Sequence, residues 1–289
     1  MRHQLRLLHP GIQDPARTPG PGGREHAIAL IITLGASSGR IAAFDIDFPG
    51  SVTMTLSALS HHYQHLLERL DADPVTPLRQ PAPRTGADEP SLADTMAGPA
   101  LADSLISDLA AILGSPDTRT TATQLWKRVA LDILAPSMVL WLTDQRLSLP
   151  EPTAVYWSRD QQKWFADGSG QWRHYETTDA ATQALGQWLE GTEQYFRGQW
   201  PVSKSGFWSS VALAAIRPYA AVRLELPAGE WRAQADAWMA MMPGPTARYL
   251  RWFEEGSSSG PRLAPQRRGC CLKFQLPGKD HCSTCGFRR

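Results

Sequence analysis

The sequence predicts an α+β fold: a mainly helical body with an N-terminal hairpin and a small antiparallel meander, followed by a loop-rich C-terminal module. Three observations carry this expectation. Apolar residues recur at helical spacing over long stretches of residues 101–256, short strand-like runs bounded by turn residues interrupt them, and all four cysteines fall within the last twenty residues. At 289 residues and 42% hydrophobic content, the chain can bury a sizeable core.

Residues 1–70 read as a hairpin followed by a helix. Ala27 to Leu34 and Ile41 to Phe48 are strand-like runs on either side of Gly35-Ala36-Ser37-Ser38-Gly39. In the second run Phe44, Ile46 and Phe48 alternate with Asp45 and Asp47, which turns the two aspartates toward water rather than toward a metal. Ser51 to Leu70 reads as a helix carrying His61, His65 and Glu68 on one face. His62 sits beside them and no aspartate or cysteine completes a site, so an exposed polar face is expected. Residues 71–100 hold Pro74, Pro77, Pro81, Pro83, Pro90 and Pro99 and few large apolar side chains, the composition of a linker or mobile loop.

In the body, residues 101–256, all eleven tryptophans lie between Trp126 and Trp252. Thr121-Ala122-Thr123-Gln124 has the spacing of a capping box, and Leu125, Val129 and Ile133 continue on one helical face. Pro136 is expected to kink or end that helix, because its ring meets the carbonyl of Asp132. Thr153 to Trp157, Lys163 to Phe165 and Gln171 to Tyr175 form the short strands of the meander. From Asp179, the positions Ala181, Ala184, Leu185, Trp188, Leu189, Tyr195 and Phe196 follow helical spacing. Two more helices are expected, from Ser205 to about Leu224 with a break near Pro218, and from Gly229 to Met242. Gly256 to Gly260 reads as a flexible joint before the C-terminal module, residues 257–289.

Several chemistries leave no trace. No G-x-G-x-x-G follows a strand and no Walker-type phosphate loop is present, so no nucleotide site is visible. Gly256 to Gly260 matches G-x-S-x-G formally but leads into Pro261 rather than a helix. His174 could act as a base, yet no Ser or Cys nucleophile is placed to use it. The formal net charge is +1 with no basic stripe outside the tail, which argues against a nucleic-acid partner. The longest purely apolar runs, such as Ala27 to Ile32, fall far short of the roughly twenty residues needed to cross a bilayer.

The cysteines are the most specific feature. Cys270 and Cys271 are adjacent, and after a gap of ten residues come Cys282-Ser283-Thr284-Cys285. Disulfides are disfavoured, because the first thirty residues lack the apolar core of a secretory signal and point to a reducing compartment. Zinc suits Cys282-x-x-Cys285, but adjacent cysteines point to opposite sides of an extended chain and chelate one ion awkwardly. A two-iron cluster offers four ligand positions on a larger frame, so the spacing favours it over zinc while leaving both open. From Arg262 onward the bases Arg262, Arg267, Arg268, Lys273, Lys279, Arg288 and Arg289 face one acid, Asp280. Such cations favour the reduced form of an anionic cluster and attract an anionic or acidic partner.

The segment Arg267-Arg268-Gly269-Cys270-Cys271-Leu272-Lys273-Phe274, with Leu276-Pro277-Gly278, His281-Cys282 and Cys285-Gly286, resembles the C-terminal signature of FhuF-type ferric siderophore reductases. The similarity extends more weakly through Leu125-Trp126-Lys127 to Pro136 and through Phe207-Trp208 to Ala215. It implies a loop-rich iron-sulfur module in which Cys270, Cys271, Cys282 and Cys285 bind a 2Fe-2S cluster. It further implies a cytoplasmic oxidoreductase that reduces siderophore-bound Fe(III) to Fe(II) by one electron. The expected partners are a ferric siderophore, an external electron-donor protein and an inner-membrane siderophore importer, which the protein would meet at the inner face of the cytoplasmic membrane. Trp157, Trp164 and Trp172 are the better candidates for a siderophore pocket, whereas core packing accounts for most tryptophans. Gly269, Gly278 and Gly286 are expected to let the backbone approach the sulfurs and donate hydrogen bonds to them. The rival readings are a zinc-stabilised binding or scaffold protein and an iron-sulfur sensor, the latter needing an output domain that the chain does not display.

Overall fold

The computed structural model describes residues 89–287 except 116, 167–171, 223–227 and 256–261, all within one compact unit, Gly39–Arg289. The expected N-terminal hairpin and helix, with the His61, His65 and Glu68 face, lie outside the described residues, as does the Gly256–Gly260 joint. The architecture is the expected mainly helical α+β, with three small antiparallel strand pairs among the described residues.

The linker ends earlier than residue 100. Ser91 and Asp94 close a capping box, with the Ser91 amide donating to Asp94 and the Asp94 amide to Ser91 Oγ, and this starts α1, Leu92–Ala97. Leu92 is buried, so this short turn is anchored. Pro99 then takes the first position of α2, Pro99–Leu113, where a missing N–H costs nothing. Ala102, Leu105, Ile106 and Leu109 form its buried stripe, and Gly114 ends it in the left-handed conformation.

The next helix starts before the expected capping box. Asp117 is the cap, accepting from the amides of Arg119 and Thr120, and α3 runs Thr118–Val129. Pro136 does not end the rod. A π-helical stretch, Ala130–Leu134, precedes α4, Ala135–Asp144, and its wider turn accommodates the proline ring.

The expected meander is instead two separate pairs. Strands β2, Val155–Ser158, and β3, Lys163–Ala166, form a hairpin, whereas β4, Trp172–Tyr175, pairs with β1, Leu147–Pro150. The four-residue Leu-Ser-Leu-Pro run of β1 is too short to announce itself by alternation, and this hid the true partner of β4. Helix α5, Thr178–Gln199, is capped by Thr177 and buries Ala181, Ala184, Leu185, Leu189 and Phe196 as the spacing requires. Helices α6, Lys204–Ala215, and α7, Arg217–Val222, break beside Pro218, and α8 spans Ala228–Met241.

Three core indoles satisfy their own N–H groups on helix carbonyls. Trp126 donates to the Phe207 carbonyl at 2.9 Å and stacks on the Phe207 ring at 4.0 Å and 7°. Trp238 donates to Ala215 at 2.8 Å and Trp231 to Tyr219 at 2.6 Å. Each bond fastens one helix to the carbonyls of α6 or α7 while the ring fills the interior. Trp126→Ala removes both the ring contacts and the α3–α6 link, and it is expected to cost about 3–5 kcal/mol. Chemical denaturation measures this, and an unchanged midpoint would contradict the packing.

Strands β5, Leu250–Glu255, and β6, Arg262–Arg267, pair in register from Leu250↔Arg267 to Glu255↔Arg262. The pairing crosses the expected boundary at residues 256/257. The C-terminal module therefore grows directly out of a hairpin shared with the body.

Candidate metal centre

Strand β6 delivers the chain to the cysteines, and Arg267 is where the module closes on itself. The Arg267 amide donates to the Thr284 carbonyl at 3.0 Å, and Arg267 bridges in parallel with Cys285. The Cys285 amide returns to the Cys282 carbonyl at 2.9 Å, which makes Cys282-Ser283-Thr284-Cys285 a tight turn with both thiols on one short loop. Arg251 of β5 donates to the Gly286 carbonyl at 2.7 Å, and the Arg268 amide donates to Tyr249 at 2.8 Å. The first cysteine pair is held from the other side. Gln124 of α3 donates to the Cys271 carbonyl, and Thr120 lies 2.6 Å from the Gln275 side chain.

Leu272 sits in the left-handed region at φ 58, an uncommon place for a residue with a γ-branched side chain. This turns its amide back past Cys271 onto Cys270, with Leu272 N donating to Cys270 Sγ at 3.3 Å, while the Lys273 amide faces Cys271 and lowers its thiol. The sulfur-directed amides thus come from Leu272 and Lys273, not from the glycines. Gly269 and Gly286 are needed for a different close approach. A Cβ on Gly269 would sit 1.9 Å from the Ser205 carbonyl oxygen, and one on Gly286 would sit 2.1 Å from the Arg267 carbonyl oxygen. Gly278 meets nothing within 4 Å, but it holds φ +64, which is what its turn requires.

All four cysteines are free thiols; Cys271 and Cys285 are buried, and Cys270 and Cys282 are half-buried. Cys271 Sγ and Cys282 Sγ lie 3.9 Å apart. Two thiolates on one tetrahedral metal at about 2.3 Å each stand roughly 3.8 Å apart, so this pair already has the spacing of ligands to one ion. Among the described residues no three His, Cys, Asp or Glu side chains gather around a single point. The shared hydrogen bond lowers the Cys271 thiol, aided by the Arg267 and Lys127 charges, and raises that of Cys282. The pair therefore gives up its first proton readily and holds its second. Burial raises Cys270. Binding as thiolates must expel the protons held on Cys270 and Cys282, so the affinity for iron and sulfide is expected to rise with pH throughout the range below about 9. Anaerobic reconstitution at a series of pH values checks this; a flat or falling yield would contradict it.

Trp157 and Trp164, expected to line a pocket, are core residues at 0% and 2% exposure and meet edge to face across the β2–β3 hairpin. Trp172 is also packed against the core. His174 does have a serine partner, since Ser148 faces it across β1–β4 and Ser148 Oγ lies 2.9 Å from Nδ1. Nothing local in Leu147–Pro150 marks β1 as the strand opposite His174, so Ser148 is not legible as its partner from the sequence.

The structure also adds residues that spacing alone did not nominate. Thr120, Thr121, Thr123 and Gln124 are all buried on α3. A buried polar run on a helix implies a polar partner, and here part of that partner is the cysteine loop. Arg267, one of the seven bases from Arg262 onward, is 0% exposed.

Four free thiols, two buried and two half-buried, lie on a hydrogen-bonded loop with cationic side chains beside them, a donor set that suits a thiolate-bound metal, zinc or an iron-sulfur cluster. Residues 267–285 match the family of the FhuF 2Fe-2S C-terminal domain, and the cofactor is accordingly a 2Fe-2S cluster. No curated protein matches the chain. The residues present fit that group: four thiols could supply its ligands, one pair stands at single-iron spacing, and a buried guanidinium nitrogen of Arg267 is left without a partner among the described residues. Among the described residues no helix is long and apolar enough to cross a membrane.

Proposed function

We propose that this protein is a ferric siderophore reductase, carrying out one-electron reduction of siderophore-bound Fe(III) to Fe(II) and releasing iron in the cytoplasm. The observation that carries the reading is the FhuF-type module with its four thiols on a rigid hairpin base. Held there, a 2Fe-2S cluster would supply electrons one at a time.

The chain's own part is to hold, screen and present. Gln124 and Arg251 pin the two cysteine loops to the body, and the Leu272 and Lys273 amides lower the charge density on two sulfurs. Cys270 and Cys282 lie toward the surface, where electron exchange over a short distance is feasible. The same segment carries exposed Phe274, stacked on His281 with centroids 4.7 Å apart, exposed Phe287, and the bases Arg268, Lys273 and Lys279. Aromatic faces beside cations suit a bulky anionic iron chelate or an acidic donor protein. Each Fe(III) reduced consumes one electron from that external donor. Fe(II), of lower charge, is held far less tightly by hard anionic oxygens and leaves the siderophore. Docking at an inner-membrane importer would bring the substrate to the site as it enters the cell.

The test is the visible spectrum of protein purified without oxygen, followed by addition of ferric siderophore to the reduced form. Bands between about 400 and 600 nm that bleach with reductant and return on adding one equivalent of ferric siderophore, with Fe(II) trapped by a ferrous chelator, support the reading. A colourless protein holding one zinc per chain overturns it in favour of a zinc-stabilised binding protein. A coloured protein that does not reoxidise with any ferric siderophore leaves an iron-sulfur protein of another function.

A further inference from the structure

Arg267 is the buried charge that the body does not neutralise. Its side chain is 0% exposed. Nε and Nη2 donate to Ser209 Oγ at 3.3 and 3.0 Å, and Nη2 also donates to Ser210 Oγ at 3.0 Å. Both serine hydroxyls donate their own protons to the Gly206 carbonyl, at 3.3 and 3.0 Å, which leaves their oxygens as acceptors toward the guanidinium. These partners are neutral, and Nη1 has none among the described residues. A guanidinium buried with only neutral partners is costly, and such a group is normally found with an anion.

The surroundings indicate which anion. The Arg267 backbone is threaded between the Thr284 carbonyl and Cys285, three and four residues before Cys270 and Cys271, and its charge bears on Cys270, Cys271 and Cys282. Four thiolates around two iron ions and two sulfides carry a formal charge of about −2, which becomes about −3 on gaining one electron. Arg268, next in sequence, is exposed and screened by salt, whereas Arg267 is not.

We propose that Arg267 is the buried counter-cation of the cluster, clamped by Ser209 and Ser210 of α6, and that it raises the reduction potential by favouring the more negative, reduced form. The inference rests on the cluster assigned to the four cysteines. It identifies one residue and one helix that set the poise, where the charge of the tail as a whole identifies none. It also explains why the hairpin must seat β6 against α6: the charge is useful only if it is held close and dry.

The experiment compares wild type, Arg267→Gln, Arg267→Lys and Ser209→Ala/Ser210→Ala after anaerobic reconstitution. Iron and acid-labile sulfide per chain are measured, together with the midpoint potential by dye-mediated titration followed by paramagnetic resonance of the reduced form. Arg267→Gln keeps a donor but no charge, and its reduction equilibrium constant is expected to fall at least about tenfold, ~59 mV for one electron. Arg267→Lys is expected to retain most of the wild-type potential, a rescue that a purely structural role would not produce. A loaded Arg267→Gln protein with the wild-type potential overturns the inference, as does Arg267→Lys behaving like Arg267→Gln. Should Arg267→Gln fail to load, the double serine variant decides. It keeps charge and cysteines but loosens the clamp, so a lowered potential supports the inference and an unchanged one overturns it. A wild-type protein that assembles no cluster overturns the cofactor reading itself, which separates the two failures.

Discussion

Gly269→Ala is expected to strip the protein of its cluster although every cysteine remains. The new methyl would lie 1.9 Å from the Ser205 carbonyl oxygen, 2.4 Å from its carbon and 2.8 Å from Ser209 Oγ. The first two are backbone atoms at the start of α6, which is packed through Phe207 and Trp208 into the core, so they cannot move aside cheaply. The loop carrying Cys270 and Cys271 must lift instead, and with it goes the 3.9 Å approach of Cys271 to Cys282. The cost is expected at or above the ~1–3 kcal/mol typical of an overpacked site. Iron and sulfide content with thermal unfolding measures it. Full loading at the wild-type melting temperature would refute the argument. Gly278→Ala is the internal comparison: its φ of +64 carries strain of about 1–2 kcal/mol, but nothing lies within 4 Å, so most of the cluster should survive.

Cys282→Ser and Cys271→Ser should each abolish stable cluster binding. These two sulfurs form the close pair, and serine replaces a soft thiolate with an alcohol that iron binds poorly at neutral pH. Loss of one supporting hydrogen bond to a metal ligand already costs ~10–100-fold in affinity, and loss of the ligand itself should exceed that. Cys271 is also buried, so the vacated position is not open for water to fill freely, whereas Cys282 is half-buried. Cys282→Ser is therefore expected to retain more residual iron than Cys271→Ser. Equal, near-complete loading in both would mean that the four cysteines are not the ligand set.

Much of the helical body was legible because helix signals are local. α5 follows from apolar spacing, α8 from helix start and stop signals, and the break between α6 and α7 from Pro218. The errors fall where a partner distant in sequence decides the outcome. Strand β4 pairs with β1 across more than twenty residues, and no local pattern in Leu-Ser-Leu-Pro predicts that choice. Thr121 to Gln124 looks like a helix start, but Asp117 lies upstream with two amides to cap, and Gln124 turns inward to the Cys271 carbonyl. Trp157 and Trp164 looked available to a ligand on short strands, yet hairpin packing buries both.

The four candidate ligands and the cofactor class were legible in the chain itself, because metal chemistry constrains residue type and spacing within a short segment. The environment of those ligands was not. Whether a base is a solvated side chain or a buried cation depends on what covers it, and for Arg267 that cover is Ser209 and Ser210, nearly sixty residues earlier. Whether a glycine serves a turn or a close approach depends on the surface opposite, which is α6 for Gly269 and nothing for Gly278. Sequence determined which thiols are on offer to a cluster and at what spacing; tertiary packing decided how dry, how charged and how firmly held they are, since burial and electrostatic field are properties of the whole surround.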